Sequence, residues 1–215
     1  TPDMNERLDI LLGKAKCPSQ HRGWYHRSHQ LAEQFAAQIN GLKIKPPAQL
    51  LPSDQVTGYL IACAYPDRIA RSRHAGGFQL ANGRGVSIAG NHVLEKSKWL
   101  AVAEAGGLAK STGDMIHSAA TLDEALFESI LADQVVENTL VEWDGKTKRF
   151  VAEQRQQVGA LVLRRSKLEK VPAEAKQEAL IKYIQTSGLE ILPFTPELRQ
   201  WQARVELVRI TTGNK

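Results

Sequence analysis

Tyr65-Pro66-Asp67-Arg68-Ile69-Ala70-Arg71-Ser72-Arg73 divides this chain into two kinds of sequence. Pro66 has no backbone donor and biases Tyr65 away from helical geometry, so a helix arriving through Leu60 and Ala64 stops there. Asp67 is placed to cap a new turn. Arg68, Arg71 and Arg73 follow within six residues, and at helical spacing Arg68 and Arg71 share a face. Upstream, apolar residues recur with helical period. Downstream, they alternate in short runs separated by glycine.

Three helices are expected before the boundary. Met4 to Lys16 carries Leu8, Leu11 and Leu12. His21 to Ile39 carries Trp24, Leu31, Phe35 and Ile39 on one side, with Asn40-Gly41 as a left-handed cap. Lys45-Pro46-Pro47 reads as a stiff linker. Ser53 and Asp54 start the third helix, with Val56, Leu60, Ile61 and Ala64 turned inward.

Beyond Arg73, Gly76-Gly77 is a flexible joint. Phe78 and Leu80 alternate with Gln79 and Ala81, and Asn82-Gly83 predicts a two-residue hairpin turn leading to Val86 and Ile88. Trp99 to Ala105 and Met115 to Ala120 read as strands, the first apolar enough to be central. Thr121 and Glu124 have capping-box spacing, predicting a helix through Leu131. Thr139 to Trp143, Lys148 to Gln154 and Val158 to Leu163 make a meander turning at Asp144-Gly145. A helix from Ala173 to Thr186 ends at Gly188. Thr195-Pro196-Glu197 opens a last one, with Leu198, Trp201, Val205 and Val208 as its core face.

The 215 residues suffice for one large domain or two small ones. A net charge of +5 permits nucleic-acid binding without demanding it. Cys17 and Cys63 stand far apart and outside any CxxC spacing. That argues against a disulfide framework or structural zinc and fits a reducing, cytoplasmic setting. No apolar run approaches the roughly 20 residues that span a bilayer, so no membrane partner is expected. The chain lacks an initial Met and opens inside a helical pattern, so it reads as an excised piece of a longer protein.

No catalytic constellation assembles. His21, His26 and His29 lie close in sequence, but only Glu33 approaches a matching spacing, and a metal needs a convergent third ligand. Ser87 and Ser111 have no nucleophile-elbow context. Asp123-Glu124-Ala125-Leu126 matches a helicase magnesium-binding motif by letters. That chemistry also needs a phosphate loop, and Gly107-Leu108-Ala109-Lys110-Ser111-Thr112 lacks the glycine before its lysine. Asp123 and Glu124 read instead as helix-capping acids. The remaining signal is basic: Arg68, Arg71, Arg73 and Arg84 around the junction and first hairpin, with Lys96 and Lys98 before the Trp99 strand. These six can contact phosphates along a small barrel, aided by an exposed Phe78. Equally, Arg68 can pair with a neighbouring carboxylate and Phe78 can be core, since arginine serves both ends.

Tyr65-Pro66-Asp67-Arg68-Ile69-Ala70, Leu80-Ala81-Asn82-Gly83-Arg84-Gly85, Trp99-Leu100-Ala101-Val102-Ala103-Glu104, Gly159-Ala160-Leu161-Val162-Leu163 and Gly188-Leu189-Glu190-Ile191-Leu192-Pro193 resemble, in order, successive motifs of the HrpB family of bacterial ATP-dependent helicases, related to the DEAH-box RNA helicases. The resemblance covers most of the chain from about Leu51. It implies the region after the two motor domains, namely the end of a helical ratchet domain followed by an oligonucleotide-binding-fold-like β domain. ATP and magnesium would then belong to the parent's motor domains, with no cofactor on this piece. The implied partners are single-stranded nucleic acid, RNA before DNA, and those motor domains.

The expected class is α+β. A helical segment spans 1–74, an OB-like or Greek-key β domain with one inserted helix spans 75–166, and a helical segment spans 167–215. The expected role is an accessory region that binds or guides single-stranded nucleic acid through Arg68, Arg71, Arg73, Arg84, Lys96 and Lys98. The alternative is a purely structural, protein-docking module.

Overall fold

A computed structural model of the chain describes residues 1–42, 51–74, 76–90, 92–107 and 113–212. The Lys45-Pro46-Pro47 linker, and Lys110 and Ser111 of the glycine-lysine run, lie outside these. The chain forms two compact units, one of Thr1–Val136 with Gln156–Leu163 and one of Glu137–Arg155 with Arg164–Lys215.

In the first unit, α1 (Met4–Leu11) is capped by Asp3, whose carboxylate accepts from the Asn5 N–H at 2.8 Å. α2 (Arg22–Asn40) follows a short 3₁₀ turn. Gly41 closes it at φ −75°, so the expected left-handed cap is absent. Of the apolar side of α2, Leu31, Phe35 and Ile39 are exposed. α3 (Ser53–Ala64) buries Thr57, Gly58 and Ala62 and ends at Tyr65, as Pro66 requires.

β1 (Ile69–His74), β2 (Gly77–Leu80), β3 (Gly85–Ser87), β4 (Trp99–Gly106) and β5 (Asp114–Thr121) close a barrel in the order β1-β2-β3-β5-β4. β3 and β5 run parallel; the other pairings in the barrel are antiparallel. Alternation then assigns each side chain to a face. Ala70, Phe78, Leu80, Val86, Leu100 and Val102 fill one core cluster. Ile69, Trp99 and Ala101 belong to a second, with Ala62, Leu126, Phe127 and Leu131, and with Val158 and Leu161. β1 and β4 are therefore covered on both sides, which explains the unbroken apolar run Trp99-Leu100-Ala101-Val102.

Two local expectations fail for physical reasons. Thr121 does not cap a helix, since it is the last residue of β5 and pairs with Leu100. Leu122 continues by donating its N–H to the Trp99 carbonyl at 3.1 Å. Asp123 does the capping, and what it caps is a 3₁₀ turn over Glu124–Glu128, followed by another at Ala132–Gln134. The inserted α-helix is thus two short turns. The Asn82-Gly83 hairpin is also longer than predicted: Leu80 N donates to the Arg84 carbonyl at 2.8 Å around Ala81, Asn82 and Gly83, with Gly83 at φ +90°.

β6 (Val136–Asp144), β7 (Arg149–Val158) and β8 (Leu161–Lys167) form the expected three-stranded meander. The second unit adds α4 (Ala173–Ser187), closed by Gly188 at φ +88°, and α5 (Pro196–Thr212). Glu197 in the first turn of α5 is held below the usual carboxylate range by its own backbone N–H and by the Thr195 hydroxyl. The expected core face of α5 is not buried: Leu198, Trp201, Val205 and Val208 are all exposed.

Candidate nucleic-acid interface

The six basic residues divide by environment. The expectation that Arg68 and Arg71 share a helix face is overturned, because Arg68 ends a 3₁₀ turn and Arg71 lies in β1. Arg68 donates to the Ala103 carbonyl at 2.7 Å and lies 4.5 Å from the centre of the Tyr65 ring. Arg71 donates to the Val162 carbonyl and stacks 5.3 Å from the centre of the Trp99 ring. Both are partly buried, and both bind backbone acceptors at the seam of the second core. Replacing Arg71 with alanine is expected to lower stability by about 1.5–3 kcal/mol, the range for hydrogen bonds to charged groups. Chemical denaturation of the variant beside the natural chain reads this directly.

Arg73, Arg84, Lys96 and Lys98 are exposed. Arg73 donates to Gln79 Oε1 at 3.1 Å, on the side of β1 and β2 that also carries Arg71. Lys98 sits beside this end of β1, since the Ser72 N–H donates to the Lys98 carbonyl at 2.9 Å. Its ammonium pairs with Glu124. Arg84 pairs with Asp114 across β3 and β5. Lys96 ends the 3₁₀ turn before β4 and has no ion pair among the described residues.

Between these groups the outer side of β2 and β3 is open at Gly85 and covered at Gly77, which is buried beneath the His74 ring. Its cross-strand pairs are Gly77 with Ser87 and Gln79 with Gly85. A Cβ added at Gly85 would meet open space, whereas at Gly77 it would strike the His74 ring at 2.0 Å. The open position at Gly85 lets another backbone approach closely. Phe78 offers this face no ring for base stacking, because Phe78 is 2% exposed and is core, the second of its two expected placements.

No group of three or more histidine, cysteine or acidic side chains among the described residues is arranged to hold a metal ion. His29 pairs instead with Glu33 at 3.3 Å, and its ring lies 5.9 Å from that of Tyr25. Asp123 and Glu124 serve the cap and the Lys98 pair. No described helix is long and apolar enough to cross a membrane.

Comparison with known proteins finds this α+β chain similar to parts of HrpB helicases. Residues 134–168 match the family model described as the ATP-dependent RNA helicase HrpB connector region. The Escherichia coli (strain K12) ATP-dependent RNA helicase HrpB is 29% identical over 157 residues, covering 68% of this chain and 18% of that protein. The crystal structure of the E. coli DExH-box NTPase HrpB matches 94% of this chain with a TM-score of 0.56 and 25% identity, using 23% of its own length. A second, of the E. coli DEAH/RHA helicase HrpB, covers the whole chain with a TM-score of 0.58 at 22% identity and supports the fold. The chain spans under a quarter of the length of these relatives.

Proposed function

We propose that this region is an accessory module of an ATP-dependent RNA helicase, following the motor domains and holding single-stranded RNA on the outer face of its barrel. The carrying observation is the open position at Gly85, opposite Gln79 and the Arg73 that donates to it, with Lys98 beside the same end of β1 and Lys96 two residues before Lys98. The strand order and the parallel β3–β5 pairing support an OB-type reading. In such barrels the β2–β3 face and the β1–β2 and β4–β5 loops receive oligonucleotides. In this reading Arg73 and Lys96 contact phosphate directly. Arg84 and Lys98 contribute when a phosphate replaces Asp114 or Glu124. Arg68 and Arg71 hold the junction that positions this face. ATP and magnesium bind the parent's motor domains, which this region braces in a cytoplasmic enzyme.

A second reading, a brace that docks protein without touching RNA, is favoured by the exposed apolar residues Leu31, Phe35 and Ile39 of α2. Fluorescence anisotropy with a labelled single-stranded RNA separates the two. The RNA reading predicts salt-sensitive binding. It also predicts that Arg73→Ala with Lys96→Ala removes about 0.7 units of log–log salt slope per lost phosphate contact. A folded chain that binds no RNA at low salt leaves the brace as the function.

A further inference from the structure

The second unit carries a surface of different composition. The β6–β7 turn is tied by Asp144, whose carboxylate accepts from the Lys146 N–H at 2.9 Å and from the Thr147 hydroxyl at 2.7 Å. The Thr147 hydroxyl, then the Lys146 N–H, hold this carboxyl below its ordinary range. Gly145 follows because α4 lies directly on the turn: an added Cβ would stand 2.0 Å from the Tyr183 hydroxyl. Beside this contact is an open cleft of about 650 Å³, whose walls include Glu142, Trp143, Lys146, Val151 and Tyr183. Trp143 is braced edge-on by Phe150 at 4.9 Å, and Phe150 in turn lies 5.9 Å from the Lys176 ammonium.

Charge and shape point the same way. Lys146, Lys148 and Arg149 are exposed and form no ion pair among the described residues. The Asp144 carboxylate is committed to the turn and also feels the Lys146 charge. Glu142 remains at the rim as a hydrogen-bond acceptor. Two half-buried aromatic rings beside three exposed cations suit a planar, polyanionic ligand. Base–aromatic stacking and backbone phosphates supply those two features together.

We propose that this cleft binds one base of a single-stranded nucleic acid, stacked against Trp143, with the flanking phosphates on Lys146, Lys148 and Arg149. The Glu142 carboxylate accepts from an exocyclic amine of the base, so an amine-bearing base is preferred. The site supplies the stacking contact that Phe78 does not, and it shares with the barrel face only the class of ligand.

The test is anisotropy of the full chain with a labelled oligoadenylate and with an abasic strand of equal length. The natural chain is expected to bind oligoadenylate more tightly, and Trp143→Ala to weaken that binding about tenfold, as loss of one stacked base does, while leaving abasic binding unchanged. The exposed-residue variant Lys146→Ala/Lys148→Ala/Arg149→Ala, which keeps all the packing, is expected to weaken both strands and remove about two units of salt slope. If Trp143→Ala keeps the full preference for oligoadenylate, the inference is overturned. If Trp143→Ala fails to fold, the triple variant decides, and unchanged affinity and slope overturn it. An Arg73→Ala/Lys96→Ala chain measured in parallel separates the two sites. Loss with that variant alone removes the cleft and leaves the barrel reading intact; loss with the cleft variants alone does the reverse.

Discussion

Trp99→Ala is expected to cost about 3–5 kcal/mol, enough to unfold a typical domain or leave it marginal. Trp99 is 1% exposed, meets Phe127 edge-on at 5.0 Å and lies under the Arg71 guanidinium. It is in the same core cluster as Ala62, Leu126, Leu131 and Leu161, so its removal leaves a cavity bordered by the helix, the 3₁₀ turns and the β7–β8 end at once. Its indole N–H has no hydrogen-bond partner among the described residues. Trp99→Phe, which deletes that buried donor and keeps an aromatic ring, should therefore cost far less than Trp99→Ala. Thermal unfolding of the two variants checks the contrast, and equal losses would contradict a packing role.

Gly58→Ala is the second large effect, expected at about 3 kcal/mol, the upper end of overpacking penalties. A Cβ on Gly58 would stand 2.1 Å from the Thr121 carbonyl oxygen. That oxygen is backbone at the end of β5 and cannot rotate away as a side chain would. α3 must separate from the barrel or the strand end must shift. Elsewhere in an exposed helix interior the same change is stabilising, because alanine is the better helix former. The sign of the measured change in denaturation midpoint thus tests whether α3 and β5 meet backbone to backbone.

Much of the architecture was legible because its signals are local. Pro66 ends α3 whatever surrounds it, and the alternation around Phe78 and Val86 marks strands before any partner is known. Thr121 shows where local signals fail. Its capping-box spacing to Glu124 is a sound helix start, but the β5 ladder claims its backbone first and Asp123 takes over the cap. The exposed faces of α2 and α5 carry the apolar spacing of buried helices, and spacing alone does not say what lies opposite.

The candidate site was legible in outline only. The basic residues are visible in sequence, but their roles depend on acceptors far along the chain. Arg68 is satisfied by a carbonyl 35 residues away and Arg71 by one 91 residues away. Arg73, two positions on, has the same charge and the same strand, yet donates to a side chain, that of Gln79. The open position on the β2–β3 face has a readable signal in Gly85. The cleft at Trp143 and Tyr183 does not, because the two residues lie 40 positions apart and meet only through the turn at Gly145.

The most direct test of RNA holding by the barrel is hydrogen–deuterium exchange of the full chain with and without a single-stranded oligoribonucleotide. The predicted result is slowed exchange in β1 to β3 and in the segment from Val93 to Lys98, reversed by added salt. Unchanged exchange throughout the barrel, under conditions where the RNA is demonstrably bound, would contradict it.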